Sequence, residues 1–116
     1  MKDFMFLFYI NDEEMKKIPE DETKRIMDKW SAWLKKLTGK GIYNGGDRLA
    51  SSDIRTLKGK DKVVTDGPFS EAKEIVGGYV SIKAENLDEA TEIAKECPIF
   101  LYNGNLEIRT SYIPAV

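Results

Sequence analysis

The chain has no histidine and one cysteine, Cys97. Without an imidazole, Ser-His-Asp catalysis, Cys-His catalysis and His-ligated metal sites are excluded within this sequence. A lone thiol closes no internal disulfide and makes no CxxC cluster. Cys97 precedes Pro98 at a predicted helix C-terminus, where the helix dipole disfavours a thiolate, so its expected role is that of a small buried hydrophobe. Long apolar runs are missing too. The N-terminal one ends at Ile10, too short to span a membrane and without a signal-peptide cleavage pattern, so a cytoplasmic protein with no membrane partner is expected. Neither sign of charge dominates: 18 Lys and Arg stand against 20 Asp and Glu, for a net charge of −2. No basic stripe is present to neutralise a phosphate backbone, which argues against nucleic acid as a partner. The acidic clusters Asp12–Glu14 and Glu20–Glu22 lack calcium-loop spacing. The Gly-Gly pairs match neither a dinucleotide nor a Walker pattern. No metal and no cofactor is expected.

What is present suits one small domain over residues 1–116, 41% hydrophobic and 33% charged. A chain of this size buries a modest share of its surface, so a dimer interface would add stability. Residues 3–10 are apolar at nearly every position and read as a strand covered on both faces. Asn11–Lys17 reads as a turn with a short helical piece. Pro19 suits a first helical position, followed by Glu20, Asp21 and Glu22 at the positive end of the dipole. Ile26, Met27, Trp30, Trp33, Leu34 and Leu37 then recur at three- and four-residue spacing, the buried stripe of a helix ending near Gly39 and Gly41. A strand runs from Ile42 towards Ala50, interrupted by Gly45–Gly46, which predicts a bulge or a close backbone approach. Residues 53–65 read as a hairpin turning at Lys58–Asp61. Ile75–Ala84 is a further strand, and Asn86 caps a second helix with Glu89 as its capping-box partner. That helix buries Leu87, Ala90, Ile93, Ala94 and Cys97, and residues 105–113 alternate as a last strand.

In order this is strand–helix–strand, an inserted hairpin, then strand–helix–strand: an α+β, ferredoxin-like split βαβ pair with both helices on one sheet face. The first strand is apolar on both faces, with Phe4, Phe6 and Phe8 alternating with Met5, Leu7 and Tyr9. One subunit has helices for only one face, so a second copy packed sheet against sheet is expected, a homodimer. On the last strand Leu106 and Ile108 are assigned to the helices and Glu107, Arg109 and Ser111 to the opposite face. On the strand 75–84, Val76, Val80, Ile82 and Ala84 are assigned to the helices, leaving Tyr79, Ser81 and Lys83 opposite. A dimer would then enclose Tyr9, Tyr79, Ser81, Glu107 and Arg109 as a small-molecule pocket; the plainer alternative leaves the charges in water and Tyr79 as packing. Trp30 and Trp33 are read as core. Glu71, Lys73 and Glu74 form a charged run between strands, read as solvated surface. Asp66 has two readings: a carboxylate held stiffly beside a Gly-Pro turn for acid–base work, or a turn former bonded to nearby backbone.

The segment Val64–Thr65–Asp66–Gly67–Pro68–Phe69, with Glu71, Lys73–Glu74 and Gly77–Gly78–Tyr79, resembles the signature of the DGPF proteins of the YCII-related family. Gly45–Gly46 with Leu49, the Leu87–Ala90 helix opening and Glu107–Ile108–Arg109 add to the likeness. The resemblance implies a dimeric α/β barrel. Wider relatives carry a His-Asp pair; this chain has no histidine, and Asp66 is the one acidic residue left as a candidate. Relatives found beside regulatory sigma factors suit a sensing role. Two functions follow. The first is a dimeric module binding a small polar or anionic ligand, Arg109 and Glu107 fixing it and Tyr9 and Tyr79 lending apolar contact. The second is a cofactor-independent enzyme with Asp66 as acid–base and Arg109 stabilising negative charge.

Overall fold

Alternation along ten extended residues makes β1 (Lys2–Asn11) the centre of the structure, a computed structural model that describes residues 1–69 and 73–112. β1 is followed by the short helix α1 (Asp12–Lys16), the long helix α2 (Glu20–Gly39) and the edge strand β2 (Tyr43–Arg48). A hairpin of β3 (Arg55–Lys58) and β4 (Val63–Asp66) comes next. Then follow β5 (Glu74–Ala84), α3 (Leu87–Lys95), a 3₁₀ turn at Pro98–Tyr102 and β6 (Asn105–Thr110). The main sheet has the order β2-β5-β1-β6 with every neighbouring pair antiparallel, and β3 and β4 form a separate sheet of their own. The fold is α+β, and the strand order is compatible with the ferredoxin-like arrangement. Among the described residues no helix is long and apolar enough to cross a membrane.

Helix ends follow local chemistry. α2 begins with Glu20, Asp21 and Glu22, whose charges favour the exposed N–H groups of its first turn. Pro19 sits one place earlier than expected, as the N-cap, because its extended ψ of 147° has not yet entered the helix. At the other end Gly41 takes φ +72°, which lets Gly41 N–H donate to Thr38 and Ile42 N–H donate to Leu37, closing the last turn. Asn86 caps α3 by accepting from the Glu89 N–H at 2.9 Å, while the Glu89 carboxylate accepts from Glu85 N–H rather than from Asn86.

Both helices pack on the face carrying Phe4, Phe6 and Phe8, joined by Trp33, Leu37, Val80, Ile82, Ala90, Ala94 and Ile99 in one core cluster. Phe6 stacks on Trp33, Trp33 meets Trp30 edge-on, and Trp30 meets Phe8 edge-on at 5.1 Å. Trp33 Nε1 is buried with no acceptor among the described residues, so this indole is held by packing alone. Cys97 is buried in the same cluster, as expected, and burial pushes its thiol up to about 12.

The structure corrects sequence assignments in both helices and in the last strand. Leu87, placed in the buried stripe of α3, is 52% exposed, while Ala90 and Ala94 one and two turns on are the buried residues of that helix. Met27, placed in the stripe of α2, is 43% exposed. The last strand ends at Thr110; Tyr112 is exposed, and Ile113 lies outside the described residues.

Candidate functional site

Register sorts the open face into rows. Asp47, Tyr79, Leu7 and Glu107 lie side by side across β2, β5, β1 and β6. The next row is Ser81, Met5 and Arg109, and on the other side comes Val76, Tyr9 and Asn105. Tyr9, Tyr79, Ser81, Glu107 and Arg109, assigned to this face from alternation, are therefore brought together on it around Met5 and Leu7. Val76 is a correction. It was assigned to the helices, yet it pairs with Tyr9 and is 37% exposed. Gly77 is an extra residue in β5 opposite the Phe8–Tyr9 step, and such a bulge reverses the alternation beyond it.

Tyr9, Tyr79 and Asn105 on this face each donate to a carboxylate. Tyr9 OH donates to Glu107 Oε1 at 3.2 Å, and Tyr79 OH donates to Asp47 Oδ2 at 3.2 Å. Asn105 Nδ2 donates to Glu74 Oε1 at 2.6 Å, which gives one member of the charged run a defined partner; Glu71 of that run lies outside the described residues. Burial first, then the Glu107 hydrogen bond, holds the Tyr9 phenol above its ordinary value. For Tyr79 the bond to Asp47 leads the same upward shift. Both phenols therefore stay neutral donors at physiological pH. Arg109 Nη1 stands 4.0 Å from Glu107 Oε1, beyond a hydrogen bond, so its guanidinium keeps donors to offer.

Asp47 was not among the residues singled out from sequence. Its side chain faces the sheet's open side only because β2 is irregular between Tyr43 and Gly46, where Gly45 takes φ +105°. The expected close approach is there as well: a Cβ on Gly46 would run into the Tyr79 carbonyl oxygen. The same irregularity sends Arg48, next in line, to the helix side. There a cavity of about 220 Å³ lies between α2 and the sheet. Met27, expected in the buried stripe of α2, borders this cavity instead.

Asp66 stands apart from the others, at the end of β4 in the separate hairpin sheet. Its side chain is 88% exposed and pairs with Arg55 Nε at 3.3 Å. The partial burial that would favour acid–base work is absent there. The Gly-Pro turn is present, although among the described residues the Asp66 side chain bonds Arg55 and not backbone: Gly67 takes φ +102°, its N–H donates to Ile54 and its carbonyl accepts from the buried Thr56 hydroxyl at 2.8 Å. Among the described residues, no group of three or more Cys, Asp or Glu is placed to hold a metal ion.

The YCII-related domain matches residues 3–110, and the chain belongs to that family. It is 33% identical over 91 residues to an uncharacterised protein of Rhizobium meliloti (strain 1021), covering 74% of this chain and 73% of that one.

Proposed function

We propose that the protein works in the cytoplasm as a homodimer, two open sheet faces packing into an α/β barrel that encloses a site for a small polar or anionic molecule. The observation carrying this reading is the composition of the uncovered face. Met5, Leu7 and Val76 form an apolar strip, and Tyr9, Tyr79, Ser81, Glu107 and Arg109 stand around it. Apolar side chains left in water on a whole sheet face favour a partner, and a self-complementary partner needs no second gene product. Arg109 supplies the anion contact, Glu107 and the two phenols fix orientation, and the strip gives dry walls. Binding is favoured over turnover, because protonated phenols and a carboxylate engaged by Tyr9 leave no free base beside Arg109.

Native mass spectrometry on gently purified protein tests both halves. A mass twice the 13.2 kDa chain is expected, falling to the single chain in Leu7→Asp. A co-purifying extra mass that Arg109→Ala removes is the expected mark of the ligand. A wild-type monomer would overturn the enclosed face, and an extra mass indifferent to Arg109→Ala would move the ligand elsewhere.

A further inference from the structure

We propose that each subunit holds a second binding site, on the helix side of the sheet, for a small apolar carboxylic acid whose carboxylate is held by Arg48. The site lies within one subunit and needs no second copy.

The cavity there, about 220 Å³, is walled by Phe8, Ile10, Ile26, Met27, Trp30 and Ile99. An apolar cavity of roughly 150 Å³ stays dry and accepts benzene, so this one has room for one ring and a short substituent. Met27, partly exposed at 43%, is an adaptable wall, since its unbranched thioether repacks at little cost. The space therefore suits an apolar body.

Two polar groups decide what the body carries. Arg48 lines the cavity from an exposed position, and among the described residues its side-chain hydrogen bond is to Met27 Sδ at 4.0 Å, a weak one. Among the described residues it has no carboxylate partner. Its sequence neighbour Asp47, which also borders the cavity, has its carboxylate engaged by the Tyr79 phenol at 3.2 Å. A guanidinium beside an apolar hollow, without an anion of its own, matches a ligand that brings one. The second group is Tyr102, which also lines the cavity. Its oxygen accepts from Trp30 Nε1 at 3.0 Å, leaving its own hydrogen to donate. Burial raises the Tyr102 phenol above its ordinary value, opposed first by the Trp30 hydrogen bond and least by the Arg48 charge, and the phenol keeps its proton. Arg48 and Tyr102 together offer a charged and a neutral donor to one carboxylate.

The test uses phenylacetate and its neutral isostere phenylacetamide, titrated into the full-length protein and read by NMR at the Trp30 indole N–H. Saturable shifts of that resonance by phenylacetate are expected. Arg48→Gln should weaken phenylacetate at least about tenfold, the loss of a charge-assisted pair, and leave phenylacetamide within about twofold. Met27→Trp, which fills the cavity from its exposed side, should abolish both. Arg109→Ala should change neither, so failure here and failure of the open-face site are told apart. If phenylacetate does not move the Trp30 indole, or Arg48→Gln weakens acid and amide equally, the proposal is overturned. Should Met27→Trp fail to fold, the Arg48→Gln comparison of acid with amide still decides it.

Discussion

The covered and open faces of the main sheet are built from alternate residues of the same strands, yet they behave as different materials. On one side Phe4, Phe6, Phe8, Val80 and Ile82 are buried against two helices, and among the described residues the one buried side-chain polar atom without a partner is an indole N–H. On the other, Met5, Leu7 and Val76 are only half covered, and every phenol there is hydrogen-bonded to a carboxylate. The covered face gains stability from area removed from water; the open face keeps polar groups ready at some cost in exposed apolar surface. The division between structure and function runs through the thickness of one sheet.

The largest effect that sharpens this contrast is expected from Phe6→Ala. Removing a fully buried ring should cost about 3–5 kcal/mol in urea denaturation. Leu7→Ala, one residue along, should cost about 1 kcal/mol in the isolated subunit. A Leu7→Ala cost that grows with protein concentration would show the open face buried in the dimer; equal costs for the two would break the comparison. Gly46→Ala comes next. Its Cβ strikes backbone rather than a flexible side chain, so β2 must part from β5 at a cost of about 1–3 kcal/mol. Because Asp47 faces one way and Arg48 the other, this change should disturb the Tyr79 hydrogen bond and the cavity together, read as NMR shifts on both faces.

A smaller effect, visible only in alkali, reports on how dry the covered face is. The Cys97 thiol is raised from 9.0 to about 12 in the folded protein. Between those values the unfolded chain loses a proton that the folded one keeps, so this contribution to stability is present below pH 9.0 and lost as pH rises to about 12. Wild type should therefore lose stability more steeply over that range than Cys97→Ala; parallel curves would mean a wetter core. The smallest effect is expected at the hairpin. Asp66→Asn should cost under about 1 kcal/mol, because its pair with Arg55 is exposed on both sides. It should leave the resonances of both sheet faces in place. A large loss of ligand binding on Asp66→Asn would instead join the hairpin to the site.

Much of this was legible in the chain. The three-and-four spacing of Ile26, Trp33 and Leu37, the cap at Asn86 and the alternation of Leu106 and Ile108 with Glu107 and Arg109 each placed their elements. These are short-range signals, repeating within a turn of helix or two residues of strand. What escaped was long-range. Val76 changed faces because Gly77 inserts into the β1–β5 ladder, and a one-residue slip inverts everything beyond it. Asp47 and Arg48 were not singled out for the same reason, since the Gly45–Gly46 irregularity signals a bulge without saying how it divides its neighbours. The hairpin was legible as a hairpin, but not as a sheet of its own. The radius of gyration is 16.0 Å, against about 13 Å for a compact chain of this length, and the molecule extends 51 × 43 × 19 Å.

By itself, then, the sequence determined the α+β succession of elements and the alternation that groups the five side chains on one face, because alternation and helical periodicity are properties of the local backbone. Only the tertiary structure decided where those patterns break, which charge of the Asp47–Arg48 pair faces which side, and that a hollow is left beneath Met27. Bulge registers and unfilled volume depend on how distant segments meet, and no local period carries that information.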